Sequence, residues 1–170
     1  MLTIAHASTP EDVQEIQALL REYTAWVFTL SAHSHQAPTF QGLEEELATL
    51  PGMYGLPTGR LLLARHDGRA AGCIALKGHT TTTAELKRLY VRPGFRGAKI
   101  GWQLVTALVD EARKIGYRRI ILDSHMSMTT AHAIYEAAGF RRVNPPGDFP
   151  EALKAVVVFM EMDLHEPPPL

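Results

Sequence analysis

Apolar side chains recur with helical spacing in two long stretches of the chain. The first stretch follows Thr9 and Pro10, a pair that favours a helix start, and predicts a helix from Pro10 to about Trp26. The second predicts a helix that starts near Ile100 and ends before Gly116, a residue suited to a left-handed helix cap. Shorter helices are predicted over residues 43–50 and 130–138.

Runs of β-branched and apolar residues predict the strands. Two runs flank Asp67 and Gly68, a dipeptide typical of tight hairpin turns, and a third covers Ala84–Val91. The apolar run that ends at Asp123 predicts a buried strand. Because one helix joins these last two strands, we expect them to be parallel, with a right-handed connection. The final strands are predicted over residues 140–143 and 154–164.

The elements predict a single mixed α/β domain of the α+β type around one central sheet. It spans residues 1–166, with a frayed tail at residues 167–170, and a 170-residue chain is long enough for one such core. Residues 31–42 and 144–152 are expected to be loops, and no strand is predicted ahead of the first helix. The chain shows neither a signal-peptide pattern nor an apolar run of about 20 residues, which favours a cytoplasmic protein without membrane contact.

The net charge of −1 conceals two regions of opposite sign. Residues 1–59 carry seven acids and one base, whereas residues 85–119 carry nine bases and three acids. Such asymmetry is typical of a chain that binds a charged ligand, although two solvated faces would produce the same count. The single cysteine, Cys73, excludes an intramolecular disulfide and is expected to be a small core residue.

The basic region places a strand, a turn and a helix start in immediate succession. A helix that begins near Ile100 offers free backbone N–H groups and the positive end of its dipole, which together favour a phosphate. Three small residues and three cations gather at this helix start: Gly97, Ala98, Gly101, Arg92, Arg96 and Lys99. The chain lacks the sequence patterns of a nucleotide-hydrolysing P-loop, a dinucleotide-binding loop and a serine nucleophile elbow. The turn therefore predicts an anion site without naming the anion.

The stretch LYVRPGFRGAKIGWQL, residues 89–104, is similar to the acyl-CoA signature of the GCN5-related N-acetyltransferase (GNAT) superfamily. In that signature, an apolar strand and an R/Q-x-x-G-x-G/A turn open a helix. Residues 118–143, which contain YEAAGF, resemble the second conserved block of the family, and the first and last elements of the chain also fit. The resemblance implies a mostly antiparallel central sheet, flanked by helices, in which one parallel strand pair splays apart.

The resemblance also implies an acetyl-CoA site. The backbone of Leu89, Tyr90 and Val91 would hold the pantetheine arm and the acetyl carbonyl between the splayed strands. The amides from Gly97 to Trp102 would cradle the pyrophosphate. The residues implied in binding the co-substrate are Leu89, Tyr90, Val91, Arg92, Arg96, Gly97, Ala98, Lys99, Ile100, Gly101 and Trp102.

Two positions depart from the family pattern. Lys99 occupies the place of a usual glycine, which a residue with a side chain can fill if its φ stays negative, and its ammonium group could then meet a phosphate. Met128 stands where many members have an asparagine that touches the cofactor. We expect that contact to be lost, or to be replaced by Ser127 or by the backbone.

Tyr135 matches the family's tyrosine that protonates the departing CoA thiolate. A phenol suits this role because its ordinary pKa of about 10 keeps it protonated at pH 7. A core tyrosine near a helix end would give the same local pattern.

The sequence offers several candidates for the general base. Glu85 shares a strand with Leu89 and Val91 and lies on their face by period-two counting, so it could draw a proton from the amine through water. Asp123 and His125, at the end of the next strand, compete with it. A strand carboxylate beside basic residues is also an ordinary ion-pair partner.

Other functions have weaker support in the sequence. His33 and His35 lack further ligands nearby, so no metal site is expected. The basic region lacks interleaved aromatic residues, so no nucleic-acid surface is expected. Five large side chains could either line an acceptor pocket or cover the core: Trp26, Phe28, Phe40, Met53 and Tyr54.

We therefore expect an acetyl-CoA-dependent N-acetyltransferase that acetylates a primary amine of a small molecule or peptide by direct attack. The alternative is a non-catalytic CoA-binding or regulatory module on the same fold. The acids of the first third suggest a cationic acceptor, and residues 27–60 and 144–155 are expected to determine its identity. The resemblance also leaves room for a homodimer, because family members often pair through sheet edges or terminal strands.

Overall fold

The computed structural model describes residues 1–32 and 34–165. Within these residues, the strands β1 to β7 are Leu2–His6, Arg60–His66, Arg69–Gly78, Thr83–Val91, Arg119–His125, Arg141–Val143 and Val157–Asp163. The helices α1 to α5 are Pro10–Leu30, Leu43–Ala48, Ile100–Ile115, Thr129–Ala138 and Glu151–Lys154.

All seven strands join one sheet in the order β1-β2-β3-β4-β5-β7-β6. Every neighbouring pair is antiparallel except β4 and β5, which are parallel. Their pairing covers only Thr83–Glu85 against residues 119–121, after which the two strands diverge. The predicted fold class, with its single splayed parallel pair, is confirmed.

Helices cover both faces of the sheet and bury a separate cluster on each. On one face, Leu104 and Leu108 of α3 are fully buried against the sheet, as the predicted apolar stripe requires. On the other face, Leu19 and Leu20 of α1 pack with Cys73 of β3, which is a buried core residue as expected. The splayed strands therefore lie between two rigid packed layers.

A β-bulge in β4 changes which side chains face each layer. Leu86 packs in the α3 cluster, but further along the strand Leu89 and Val91 pack there while Tyr90 joins the α1 cluster. The switch occurs at Arg88, which has a φ of +63°, where the register with β3 also shifts. The period-two count that placed Glu85 on the face of Leu89 and Val91 is therefore wrong, because one extra residue separates them.

The strand β1 was not predicted. Its five residues alternate only weakly in polarity, and most remain half-buried or exposed at the edge of the sheet. Antiparallel pairing with β2, from Leu2 opposite His66 to His6 opposite Leu62, holds β1 in place. An edge strand of this kind depends on a partner about 60 residues away, which local periodicity does not reveal.

Several predicted boundaries also shift. Helix α1 extends to Leu30, and the expected loop 31–42 contains two short 3-10 turns. The short helix α5 occupies residues predicted as loop and strand, so β7 begins at Val157. The predicted left-handed cap at Gly116 is confirmed, with a φ of +103°, and Gly139 caps α4 in the same way with a φ of +111°.

Some expectations fall outside this description. The tail at 167–170 and His33 are not among the described residues. None of the described helices combines the length and apolar character that crossing a bilayer requires.

Candidate functional site

A cavity of about 460 Å³ lies where β4 and β5 diverge. One wall is the edge of β4 that faces β5, from Leu86 to Val91. Among the described residues, this edge has no strand partner beyond Glu85. The opposite wall combines the end of β5 with the start of α4. The first turn of α3 closes one end, and Tyr23, Trp26 and Thr39 complete the wall.

The first turn of α3 directs its free N–H groups towards the cavity. Gly97, Lys99, Ile100, Gly101 and Trp102 all belong to the cavity wall. Gly97 adopts a φ of +93°, a conformation that glycine tolerates far better than any residue with a Cβ. This end of the cavity therefore has the backbone geometry of an anion site.

Lys99 is the N-cap of α3 and has left-handed dihedral angles, with φ +56° and ψ +22°. The expectation of a negative φ at this position is wrong. The turn keeps the conformation that a glycine would adopt, and lysine accepts a strain of about 1–2 kcal/mol to occupy it. The residue nevertheless lines the cavity, as predicted.

The predicted cations separate into two groups. Arg96 lines the cavity, where its Nε donates to the Val91 carbonyl at 3.3 Å and its guanidinium lies 5.7 Å from the centre of the Trp26 ring. Arg92 does not belong to the cavity wall, because its guanidinium donates to both carboxylate oxygens of Glu22 and to the Ala70 carbonyl.

Two of the predicted small residues differ in their surroundings. Ala98 lies outside the cavity wall, between Gly97 and Lys99. A Cβ built on Gly101 would lie 3.0 Å from Cδ1 of Ile134, so this glycine lets α3 approach α4 closely. The remaining predicted residues, Leu89, Tyr90, Val91, Arg96, Gly97, Lys99, Ile100, Gly101 and Trp102, come together around one cavity.

Tyr135 reaches the same cavity from α4 and is only 5% exposed. Burial raises the pKa of its phenol above the usual value of about 10. The ring packs against Phe140, with ring centres 5.8 Å apart. Tyr135 therefore presents a protonated hydroxyl throughout the physiological pH range.

Asp123 is the acid in the cavity wall. Burial, reinforced by the nearby charge of Glu85, raises the pKa of its carboxyl to about 6. Glu85 itself lies outside the cavity wall, and its Oε2 is 2.6 Å from Nε2 of His79. The structure thus brings Asp123, rather than Glu85, to the cavity that Tyr135 also lines.

The end of β5 and the start of α4 supply further polar groups. Ser127 and Met128 both line the cavity, and Met128 is the N-cap of α4. The Oγ of Ser124 is 3.1 Å from Nε2 of the buried His132 and 3.4 Å from Sδ of Met128. Met128 therefore contacts a serine on the neighbouring strand.

Several wall residues were not singled out as site residues, among them Tyr23, Thr39, Lys87 and Arg88. Arg88 is buried, with its guanidinium bonded to both oxygens of Glu46 and to the Thr39 carbonyl. Tyr23 and Thr39 arrive from the first third of the chain, so only tertiary packing reveals them. For Arg88, the sequence offered one indication, a charged residue inside a predicted strand.

The acids of residues 1–59 lie outside the cavity wall. Glu22 and Glu46 instead pair with Arg92 and Arg88, two bases of the oppositely charged region. Two of the seven acids are therefore paired internally with the basic region, and none of the seven faces the cavity. The charge asymmetry no longer provides a reason to expect a cationic acceptor.

The sequence pattern of the family described as "Acetyltransferase (GNAT) family" matches residues 17–140 of the chain. An uncharacterised N-acetyltransferase of Schizosaccharomyces pombe is 34% identical over 146 residues, which cover 85% of each chain. Both matches include the strand, turn and helix that form the cavity.

Solved structures show the same architecture. A candidate acyl-CoA N-acyltransferase of Klebsiella pneumoniae superposes with a TM-score of 0.72 at 27% identity, covering 96% of this chain and 98% of that one. A GNAT family acetyltransferase of Elizabethkingia anophelis, solved with acetyl-CoA bound, superposes with a TM-score of 0.60 at 21% identity, covering 95% and 97%. The second likeness concerns the fold.

Proposed function

Because the chain belongs to the GNAT family of acetyltransferases, we propose that it moves an acetyl group from acetyl-CoA to a primary amine of a small molecule or peptide by direct attack of the amine. The observation that carries this proposal is the cavity between β4 and β5. It combines a helix start suited to an anion at one end with a half-buried acid and a protonated phenol along its walls. These are the groups that acyl transfer from a phosphorylated thioester requires.

The residues around the cavity fit acetyl-CoA, which would supply the activated acetyl group. The N–H groups at the start of α3 would hold the phosphates, with the Arg96 and Lys99 cations beside them. The edge of β4 that faces β5 has no strand partner at Leu89–Val91 among the described residues. Apart from the Val91 carbonyl, which accepts from Arg96, its backbone groups would bind the amide-rich arm and polarise the acetyl carbonyl. The bound acetyl-CoA of the Elizabethkingia anophelis relative supports this assignment.

Asp123 and Tyr135 would manage the protons. With a pKa of about 6, Asp123 is largely ionised at pH 7.5 and can accept a proton from the incoming ammonium group, which must become neutral to attack. Tyr135, held protonated by burial, would donate its O–H to the sulfur on which negative charge develops. We propose Asp123 in place of Glu85 as base because Asp123 lines the cavity.

The decisive experiment measures thiol release from acetyl-CoA across a panel of primary amines, for the wild type and for Tyr135→Phe. The variant keeps the ring and its packing on Phe140 but lacks the hydroxyl, so we expect kcat to fall about 100-fold. Acetyl-CoA binding, measured by calorimetry, should change little. Unchanged turnover would remove Tyr135 from the mechanism. Tight acetyl-CoA binding with no turnover on any amine would favour the non-catalytic CoA-binding module.

A further inference from the structure

A second, smaller cavity opens beside the first, behind Asp123. Its volume is about 40 Å³, enough for one small chemical group. Tyr23, Thr39, Asp123, Ser124 and Met128 line both cavities, so the two are neighbours with a shared wall. An amine held at Asp123 would therefore lie beside the smaller space.

Two buried polar atoms of this small cavity have no hydrogen-bond partner within residues 1–32 and 34–165. They are Oγ of Ser34 and Nε2 of His125. Ser34 is only 5% exposed, so water on the outer surface does not satisfy its hydroxyl. Leaving such groups unpaired costs about 1–3 kcal/mol each, so a ligand atom that paired with them would gain a comparable free energy.

The protonation of His125 follows from its other nitrogen. Nδ1 accepts a hydrogen bond from the backbone N–H of Ser127 at 3.2 Å, and a backbone amide can only donate. Burial lowers the pKa of the imidazole, which keeps it neutral near pH 7. The proton of the neutral ring therefore resides on Nε2, and His125 offers a hydrogen-bond donor to the cavity.

The remaining walls determine which acceptor atom fits that donor. Apolar side chains, among them Val27, Phe40 and Leu153, form most of the pocket. A carboxylate there would lose its hydration without gaining a cation and would lie near the Asp123 carboxylate. An ammonium group would meet a donor at Nε2 of His125. A neutral oxygen, such as a hydroxyl or an amide carbonyl, suits both donors.

We propose that this pocket recognises a neutral oxygen on the amine substrate, bound by the Nε2–H of His125 and the hydroxyl of Ser34. The substrate class is then an amino alcohol or an amino amide, including the first carbonyl of a peptide. This inference rests on the proposed function, since it places the amine at Asp123. In this proposal, Ser34 and His125 select the acceptor amine.

The test compares amines that differ in one terminal group. The aminoethyl series comprises 2-aminoethanol, β-alaninamide, propylamine, β-alanine and ethylenediamine, and the aminopropyl series provides the same groups one carbon further out. We expect kcat/KM for the best hydroxyl or amide compound to exceed that of its methyl analogue by at least about tenfold, the effect of one satisfied hydrogen bond. Equal values for the methyl and hydroxyl compounds in both series would overturn the proposal.

Variants then tie the selectivity to the two donors. Ser34→Ala and His125→Leu should each lower the ratio of kcat/KM for the oxygen compound to kcat/KM for its methyl analogue about tenfold. Ser34→Thr, which keeps a hydroxyl, should retain the preference. The control His165→Gln removes an exposed imidazole just beyond the end of β7, outside both cavities, and should leave the ratio unchanged. A merely structural role for Ser34 would lower both rates equally.

Failure of this proposal is distinguishable from failure of acetyl transfer. Calorimetry of the amines on CoA-saturated protein measures the oxygen preference without turnover. If the protein binds oxygen-bearing amines more tightly but acetylates none, the proposed activity fails and the pocket stands. If the protein acetylates methyl and hydroxyl compounds alike, the activity stands and the pocket assignment fails.

Discussion

Burial acts in the same direction on Asp123 and Tyr135 but leaves them in complementary states. It raises both pKa values, to about 6 for Asp123 and above the usual range for Tyr135. At pH 7.5 the first group is therefore mostly ionised and the second fully protonated. Burial therefore leaves, in one cavity, a carboxylate that can accept a proton and a phenol that can donate one.

The first prediction concerns Asp123→Asn. The amide cannot accept a proton, so we expect kcat to fall about 100-fold at pH 7.5 with little change in acetyl-CoA affinity. In the wild type, kcat/KM should decline below about pH 6, as Asp123 becomes protonated. The matched variant Glu85→Gln, which alters the carboxylate bonded to His79, should keep most of the activity. A larger loss in Glu85→Gln than in Asp123→Asn would restore Glu85 as the base.

The same substitution should also change stability with a defined sign. The pKa of Asp123 in the folded protein, about 6, exceeds the ordinary value of 3.8, so the native state favours the protonated form. The resulting contribution of Asp123 to the free energy of unfolding is fully present below about pH 3.8 and is lost as the pH rises through 6. At pH 8, Asp123→Asn should therefore be more stable than the wild type, by at most about 3 kcal/mol. Urea unfolding at pH 4.5 and pH 8 would show a smaller difference at the lower pH.

At the scale of elements, a buried ion pair fastens α2 to the bulge of β4. The side chains of Arg88 and Glu46 are only 2% and 5% exposed, and Arg88 also bonds the Thr39 carbonyl and lies 5.0 Å from the Phe40 ring. These contacts hold the segment that carries Thr39 against the cavity. Breaking the pair would leave a charge uncompensated in the core.

We therefore predict that Glu46→Gln lowers the free energy of unfolding by about 3 kcal/mol. Urea titration of purified protein measures this loss. The control Glu44→Gln affects an exposed pair, in which Arg21 NH1 and Glu44 Oε1 are 3.5 Å apart, and should cost less than about 1 kcal/mol. Equal effects of the two substitutions would mean that the buried pair contributes no more than the exposed one.

The elements that could be predicted are those whose signal is local. Helix α3 has a continuous apolar stripe and a glycine cap, and the hairpin at Asp67 and Gly68 has its characteristic turn, with positive φ at both residues. The strand β1 and the bulge at Arg88 depend on pairing with distant strands, so local patterns do not contain them. The site divides in the same way. The residues of the turn before α3 are adjacent in sequence, whereas Thr39 and Ser34 reach the cavity through tertiary packing.

At the scale of the molecule, the sheet is joined at its centre by a short seam. Three residue pairs link β4 to β5, compared with seven between β5 and β7. Helix α3 connects the two strands along the chain and packs on β2, β3 and β4. A ligand in the gap would therefore contact both halves of the sheet. We propose that residues 1–166 nevertheless unfold as one domain, since the sheet is continuous.

The corresponding prediction is a single thermal transition that acetyl-CoA moves upward. At a concentration 100 times its Kd, the ligand should stabilise the fold by about 2.7 kcal/mol, or roughly 5–10 °C in Tm. Differential scanning calorimetry measures the shift, and hydrogen exchange should show added protection in residues 86–91. Two separate transitions would contradict the single domain, and an unchanged Tm would contradict binding across the seam.

The bulge in β4 also matters for anyone who redesigns this strand or transfers residues into it from a relative. The bulge adds one residue to the regular alternation of side chains between the two faces. A count that alternates without a break across Arg88 therefore assigns side chains to the wrong layer. A substitution at Leu86 alters the packing beneath α3, whereas one at Tyr90 alters the packing beneath α1. Deleting a single residue between them would turn the side chains of half of the strand to the opposite face of the sheet. It would also change the groups that the strand presents to the gap.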